Sequence, residues 1–264
     1  MSIVEVNQET CLRDSQCVEV CPMSVLTVDN EGFPMGIDNV ASLCIECGHC
    51  VSVCPTSSIK LTAYPQYQSV SINPDLTISD ESFIQFIRTR RSVRKYLKKS
   101  VDEADIKRLF EITPWAPSAK NGQPCHWTIL NEPEKIHDLL ELTLEVMETS
   151  GRFKRLIEAV RSGNDMIFRG APCVAIVHMD KKSFTPFVDG TIAVTYLDLA
   201  AHHYGLGSCW AGFLMIAMGM APDKYSQFLK LPENHITCGA MMLGYPDITY
   251  HQVPPRKSAP IHWL

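Results

Sequence analysis

At 264 residues, with 45% hydrophobic and 20% charged residues, the chain has the composition of a globular protein and the length for one large domain plus a small one. A formal net charge of -5 excludes the strongly basic surface that drives nonspecific nucleic-acid binding. The start lacks the basic segment and apolar run of a secretory signal, and the most apolar stretch, 191–220, is broken by Asp198, His202, His203 and glycines. It therefore reads as buried core, with no membrane span. Charge is uneven: up to Asp75, nine acids face only Arg13 and Lys60, about -7, leaving the remainder about +2. Seven of the eleven cysteines fall before residue 55 at metal-ligand spacing, which points to a reducing, cytoplasmic setting.

Two N-terminal stretches align at a constant offset, Cys11-x2-Asp14-x2-Cys17-x3-Cys21-Pro22 and Cys44-x2-Cys47-x2-Cys50-x3-Cys54-Pro55. An internal duplication is the simplest explanation. Leu26 matches Ile59 and Val28 matches Leu61, each in a short alternating segment, so these are expected to be paired strands over the ligand loops. Closely spaced cysteines let one loop present several thiolates to a cubane, while the fourth lies too far along the chain and ligates the other cluster.

This arrangement resembles bacterial two-cluster ferredoxins over roughly residues 1–64. The resemblance implies that Cys44, Cys47, Cys50 and Cys21 hold one 4Fe-4S cluster and that Cys11, Cys17 and Cys54 hold the other. The sequence departs from the pattern at Asp14, where the family has a cysteine. A carboxylate is a harder ligand than thiolate, so that cluster is either Asp-ligated 4Fe-4S or a 3Fe-4S form that gains and loses iron. An empty loop with Asp14 solvated would leave three matched thiolates idle. Zinc would not need the swapped Cys-Pro arrangement.

Residues 65–80 are rich in polar residues and Pro and form a connector to a second domain at 81–264. A helix is expected from Glu81, with Phe83, Ile84, Phe86 and Ile87 on one face. A second follows a capping box, Ser100-x-x-Glu103, and a third spans 132–149. Runs at 127–130, 173–177 and 236–243 read as buried strands, and 191–204 as a core helix. The order predicts an α+β fold, helices packed on a central sheet.

Gly205-x-Gly207 followed by Gly212 fails the dinucleotide fingerprint, and no P-loop is present. The segment 88–95, Arg-Thr-Arg-Arg-Ser-Val-Arg-Lys, concentrates guanidinium forks that match phosphate oxygens; standing alone, it reads sooner as a solvated basic face. It is followed by Ala-Pro-Ser-Ala-Lys-Asn-Gly-Gln-Pro at 116–124, Gly-Leu-Gly-Ser-Cys-Trp-Ala-Gly at 205–212, and Pro-Arg-Lys at 255–257.

In this order and spacing the four segments resemble the FMN-dependent nitroreductase family over roughly residues 80–264. The resemblance implies that Arg90, Arg91, Ser92, Arg94, Arg256 and Lys257 grip the FMN phosphate and ribityl chain. It implies further that Pro117, Ser118, Ala119 and Asn121 reach the flavin from the partner subunit of a homodimer, and that backbone around Cys209, Ala211 and Gly212 lies against the ring near its N5. Cys125, Cys173, Cys209 and Cys238 read as buried thiols, His178, His202 and His203 as satisfied core histidines, and the methionines of 215–220 as core or dimer interface. Trp115 and Trp210 are candidates to line the substrate face.

The resulting expectation is an iron-sulfur flavoenzyme that passes electrons through two clusters to FMN and on to a nitroaromatic, quinone or similar electron-poor small molecule. No side chain is required as a nucleophile, because the flavin carries the chemistry. Two other readings stay open: a ferredoxin-linked reductase of one metabolite, fed by a low-potential donor, and a non-catalytic redox or iron sensor built on the Asp14 cluster.

Overall fold

Alternating apolar residues near both ends of the duplicated segment form short strands. β1 (Val4–Val6) pairs antiparallel with β4 (Ile59–Leu61), and β2 (Leu26–Val28) with β3 (Pro34–Gly36). The computed structural model describes residues 3–64 and 70–264, so residues 65–69 of the expected connector lie outside the described residues. The matched segments of the repeat are both strands, yet they do not pair with each other. Each finds a partner from outside the repeat, because pairing follows the nearest complementary edge and not sequence similarity.

The repeat extends to the backbone. Short helices α1 (Gln16–Glu19) and α3 (His49–Val53) occupy equivalent places, with α2 (Val40–Leu43) between the halves. Positive φ recurs at Arg13 and Glu46, at Ser15 and Gly48, and at Ser24 and Ser57. Only one of these six is Gly, so the left-handed turns are held against side-chain strain of about 1–2 kcal/mol each. The core of this unit is small: Val4, Leu26, Ile59 and Leu61 with the thiols Cys17 and Cys50 among them. Domains of this size are stabilised mainly by staples such as metals.

Two compact units result, residues 1–77 with 120–122, and 78–119 with 123–264. In the second, α4 (Asp80–Thr89) starts at an N-cap in which Ser79 Oγ accepts from the Ser82 N–H at 3.3 Å. Its apolar face forms as expected but stays largely uncovered within one chain, with Phe83 54% exposed. α5 (Glu103–Phe110) departs from the expected capping box: Asp102 is the N-cap, and it makes no side-chain cap bond. Its carboxylate is taken by Lys99 and Tyr245 instead, a tertiary competitor that the local pattern does not reveal.

β5 (His126–Leu130), β6 (Cys173–Asp180), β8 (His235–Gly244) and β7 (Gly207–Trp210) form an antiparallel sheet in that spatial order. β6 is central and buried through seven consecutive residues, as its unbroken apolar run demands. Its faces divide the core. Cys173, Ala175, Val177 and Met179 meet α5 and α8 (Pro186–His203); Val174 and Ile176 meet the layer of α6 (Pro133–Thr149), α7 (Lys154–Arg161), α9 (Gly212–Met220) and α10 (Pro222–Phe228). The α+β expectation holds, while β7, α7, α9 and α10 are additions to the predicted order.

α8 approaches the sheet through glycines. A Cβ at Gly190 would lie 2.6 Å from the Cys238 Cβ, and one at Gly239 would lie 2.9 Å from Val194 Cγ2. Gly190→Ala is therefore expected to cost about 1–3 kcal/mol, because a Cβ next to backbone has no rotamer by which to retreat. A fall in the denaturant midpoint with an unchanged slope is the predicted signature.

Candidate functional site

The cysteines gather in two groups. Cys44 has Cys47 and Cys21 as electrostatic neighbours, and Cys50 has Cys47 and Cys44, so Cys21 from the first half sits with three thiols of the second. Conversely Cys17 has Cys54 and Asp14 beside it, and Cys11, Asp14, Cys17 and Cys54 line one recess. Burial pushes the Cys50 thiol up to about 11, with neighbouring sulfurs adding to the effect, and raises Cys17 and Cys44 as well. Adjacent buried thiols of this kind ionise together only around a metal cation.

Several donors already point at sulfur. The Glu46 N–H donates to Cys44 Sγ at 3.3 Å and the Ser58 N–H to Cys54 Sγ at 3.2 Å. Burial works against ionisation of Cys54, but the Thr56 hydroxyl and backbone N–H groups outweigh it and hold this thiol below its ordinary range. These features fit iron-sulfur clusters at both groups. Asp14 differs from the thiols in being committed locally: its carboxylate accepts from the Gln16 N–H at 3.3 Å and from Gln16 Nε2 at 3.0 Å.

In the second unit the cationic segment leaves α4 and runs beside β7. Ser92 forms a parallel bridge with Ser208, and the Val93 N–H donates to the Ser208 carbonyl at 2.9 Å. Arg90 is oriented by a buried carboxylate, Asp198 on α8, at 3.4 Å, and the same carboxylate accepts from Ser208 Oγ. Arg94 and a residue the sequence did not single out, Arg169, both act electrostatically on Cys209 and Tyr96. Among the described residues no carboxylate forms an ion pair with Arg91, Arg94, Arg169, Arg256 or Lys257. Arg94 and Arg169, both beside Cys209 and neither in an ion pair, can receive an anion, which fits a phosphate-bearing flavin.

Cys209 is the buried penultimate residue of β7; α9 then begins at Gly212 without a side-chain cap. The Ala211 N–H is not free for a ligand, since it donates to the Ala240 carbonyl at 3.0 Å. Gly212 is exposed, a Cβ there would meet open space, and the first-turn N–H groups of α9 have no intrahelical acceptor. A cavity of about 300 Å³ lies by the 117–119 loop, lined by Pro117, Ser118, Cys125, Trp127 and Asp189 among others. Buried Asp189 pins this loop by accepting from the Ala119 N–H and the Thr185 hydroxyl, both at 3.0 Å. Asn121 belongs to the first compact unit, where its Nδ2 donates to the carbonyls of Glu46 at 3.1 Å and Ile45 at 3.3 Å.

Arg256 and Lys257 lie on an exposed C-terminal stretch, where Arg256 contacts only the Pro255 carbonyl among the bonds described. His178 is buried and bonded to His235, and His202 is half-buried between Thr89 and the Phe86 carbonyl. His203, expected in the core, is exposed because it falls on the outer face at the end of α8. Trp115 is 69% exposed and Trp210 half-buried. Of the four expected buried thiols, Cys125 is only half-buried, since it lines the cavity. Met218 is buried, whereas Met220 is exposed.

The profile of the nitroreductase family matches residues 87–245, and that of a 4Fe-4S dicluster domain matches residues 10–59. A protein of Archaeoglobus fulgidus, provisionally named NADH dehydrogenase/NAD(P)H nitroreductase, is 27% identical over 170 residues, 63% of this chain and 86% of its own length. The crystal structure of a nitroreductase with bound FMN from Bacteroides fragilis is 27% identical, covers 69% of this chain and 97% of that one, and superposes with a TM-score of 0.57. A second FMN-bound nitroreductase, from Desulfitobacterium hafniense, shares the fold at a TM-score of 0.59 and 22% identity, over 70% of this chain and 100% of that one.

Proposed function

The chain belongs to the nitroreductase family, as an FMN-dependent oxidoreductase with an N-terminal 4Fe-4S domain, and on that premise we propose that two clusters pass electrons to FMN for delivery to a nitroaromatic, quinone or similar electron-poor acceptor. The observation that carries this reading is the interleaving of Cys21 with Cys44, Cys47 and Cys50, and of Cys54 with Cys11, Asp14 and Cys17, in the same chain as Arg94 and Arg169, which meet beside Cys209 and form no ion pair among the described residues. When bound, the clusters supply one-electron carriers, and FMN supplies hydride transfer to the acceptor.

The chain's own residues bind and tune. Asp198 fixes the fork of Arg90 so that binding an anion does not require ordering a loose side chain. Arg94 and Arg169 place positive charge beside Cys209, where it favours an anionic ligand state. Ser92, Arg91, Arg256 and Lys257 complete the phosphate and ribityl contacts, and the exposed first turn of α9 at Gly212 offers N–H groups to the ring. Pro117, Ser118 and Ala119, pinned by Asp189, serve the flavin of a partner copy in a homodimer. The uncovered apolar face of α4 and the exposed Ile261 and Trp263 of the C-terminal stretch supply surface for such pairing. No catalytic side chain is assigned, and the expected setting is cytoplasmic.

Anaerobic reconstitution with quantitation of iron, sulfide and flavin tests this proposal. About six to eight irons and one FMN per chain are expected, with turnover of nitro, quinone or enone acceptors. The name of the Archaeoglobus relative points to NAD(P)H as donor. Reduction of the clusters by a low-potential ferredoxin without nicotinamide would favour the reductase of a single metabolite. The local commitment of the Asp14 carboxylate to Gln16 favours a labile first cluster. No turnover, together with iron-dependent interconversion of that cluster, would replace the enzyme reading with a sensor.

A further inference from the structure

Three imidazoles meet at one end of the second unit's sheet. His126 opens β5 directly opposite His178 of β6, and His235 opens β8 opposite Asp180, two residues further along β6. The register of β6 against β8 shifts immediately before His178. Val177 pairs with Gly239 but His178 pairs with Thr237, so Cys238 is an extra residue on β8. Side chains alternate faces along a strand; without that bulge His235 would point to the face opposite His178. With it, all three rings share one face.

The rings are also close in space. Their centres are 5.7 Å apart for His126 and His178, 4.9 Å for His126 and His235, and 5.1 Å for His178 and His235. The Nδ1 atoms of His178 and His235 lie 2.9 Å apart. A tetrahedral ion with metal–nitrogen bonds of about 2.0–2.1 Å keeps imidazole centres about 3.2 Å from itself, and hence about 5.2 Å from one another. The observed triangle brackets that spacing. As the rings are oriented, no three described side chains present ligand atoms to a single ion. Turning an imidazole by half a rotation exchanges nitrogen for carbon without moving its centre. The exposed His126 has room for that turn.

We propose that His126, His178 and His235 form a binding site for a divalent transition ion of borderline softness, such as zinc, nickel, cobalt or copper, with no cysteine among its ligands. Asp180, the charged neighbour of His235, is placed to orient that ring or fill a further position. An ion there ties the starts of β5 and β8 to the end of β6 and stiffens the strand that follows the 117–119 loop.

The test uses the protein loaded with clusters and FMN, titrated with zinc alone by calorimetry and by metal analysis after desalting. His126→Gln and His235→Gln are compared with wild type; both lie at the rim, and buried His178 is left intact. Equal iron and flavin contents in all three proteins keep cysteine-bound zinc out of the comparison. The wild type is expected to retain about one zinc beyond either variant, to bind it at least about tenfold more tightly, and alone to show a higher Tm with zinc. Equal stoichiometry and affinity in the three proteins, or no zinc retained by the wild type, would overturn the proposal.

Discussion

Cys50→Ser is expected to lower iron by about four atoms per chain while FMN stays bound. Cys50 is buried in the small core of the first unit, with Cys47, Cys44 and Cys17 as electrostatic neighbours. Serine is isosteric but offers a hard oxygen whose proton is far more difficult to remove in that setting, so a cubane corner is lost and the whole cluster goes with it. Apart from Asn121, the residues expected at the flavin lie in the other compact unit, which has its own core. Iron and flavin quantitation on anaerobically purified protein decides the matter. A full iron complement would remove Cys50 from the ligand set; joint loss of iron and FMN would reveal general unfolding instead.

The Arg90→Ala, Arg256→Ala double variant should lose FMN during gel filtration that the wild type survives. Each guanidinium removed forfeits a charge-assisted hydrogen bond worth about 1.5–3 kcal/mol, so retention falls by at least about a hundredfold. Arg90 contributes through a held geometry, its partner Asp198 being buried on α8, whereas Arg256 must be recruited from an exposed stretch. The Arg90 single variant should therefore account for most of the loss. Fluorescence of released flavin against total protein measures the effect, and unchanged retention would refute the phosphate assignment.

The grouping of the cysteines was legible because thiol spacing within a tight loop is local chemistry, and the repeat carries it twice. Strand pairing was not: Leu26–Val28 and Ile59–Leu61 look alike but take different partners. Long apolar runs announced β6 and β8, while β7, four residues of Gly-Ser-Cys-Trp, carries neither alternation nor length. Buried acids were the main blind spot. Asp198 reads in sequence as an interruption of an apolar stretch, and Asp189 as nothing in particular. Their worth appears only when Arg90, Ser208 and Ala119 arrive from distant segments. Arg169 escaped for the same reason, and the three histidines because a bulge at Cys238 reverses the parity from which a face would be inferred.

The glycines where α8 meets β8 carry a lesson for anyone altering what this protein accepts. Gly190 and Gly239 key the helix to the sheet like a tongue in a slot, and Asp189 and Asp198 ride on that same helix toward the 117–119 loop and Arg90. Enlarging either glycine would tilt the beam that carries both fixtures at once. A mutational library should leave this joint and Asp189 untouched and place its diversity at exposed Trp115 and the rest of the cavity wall, where a changed side chain alters shape without moving the frame.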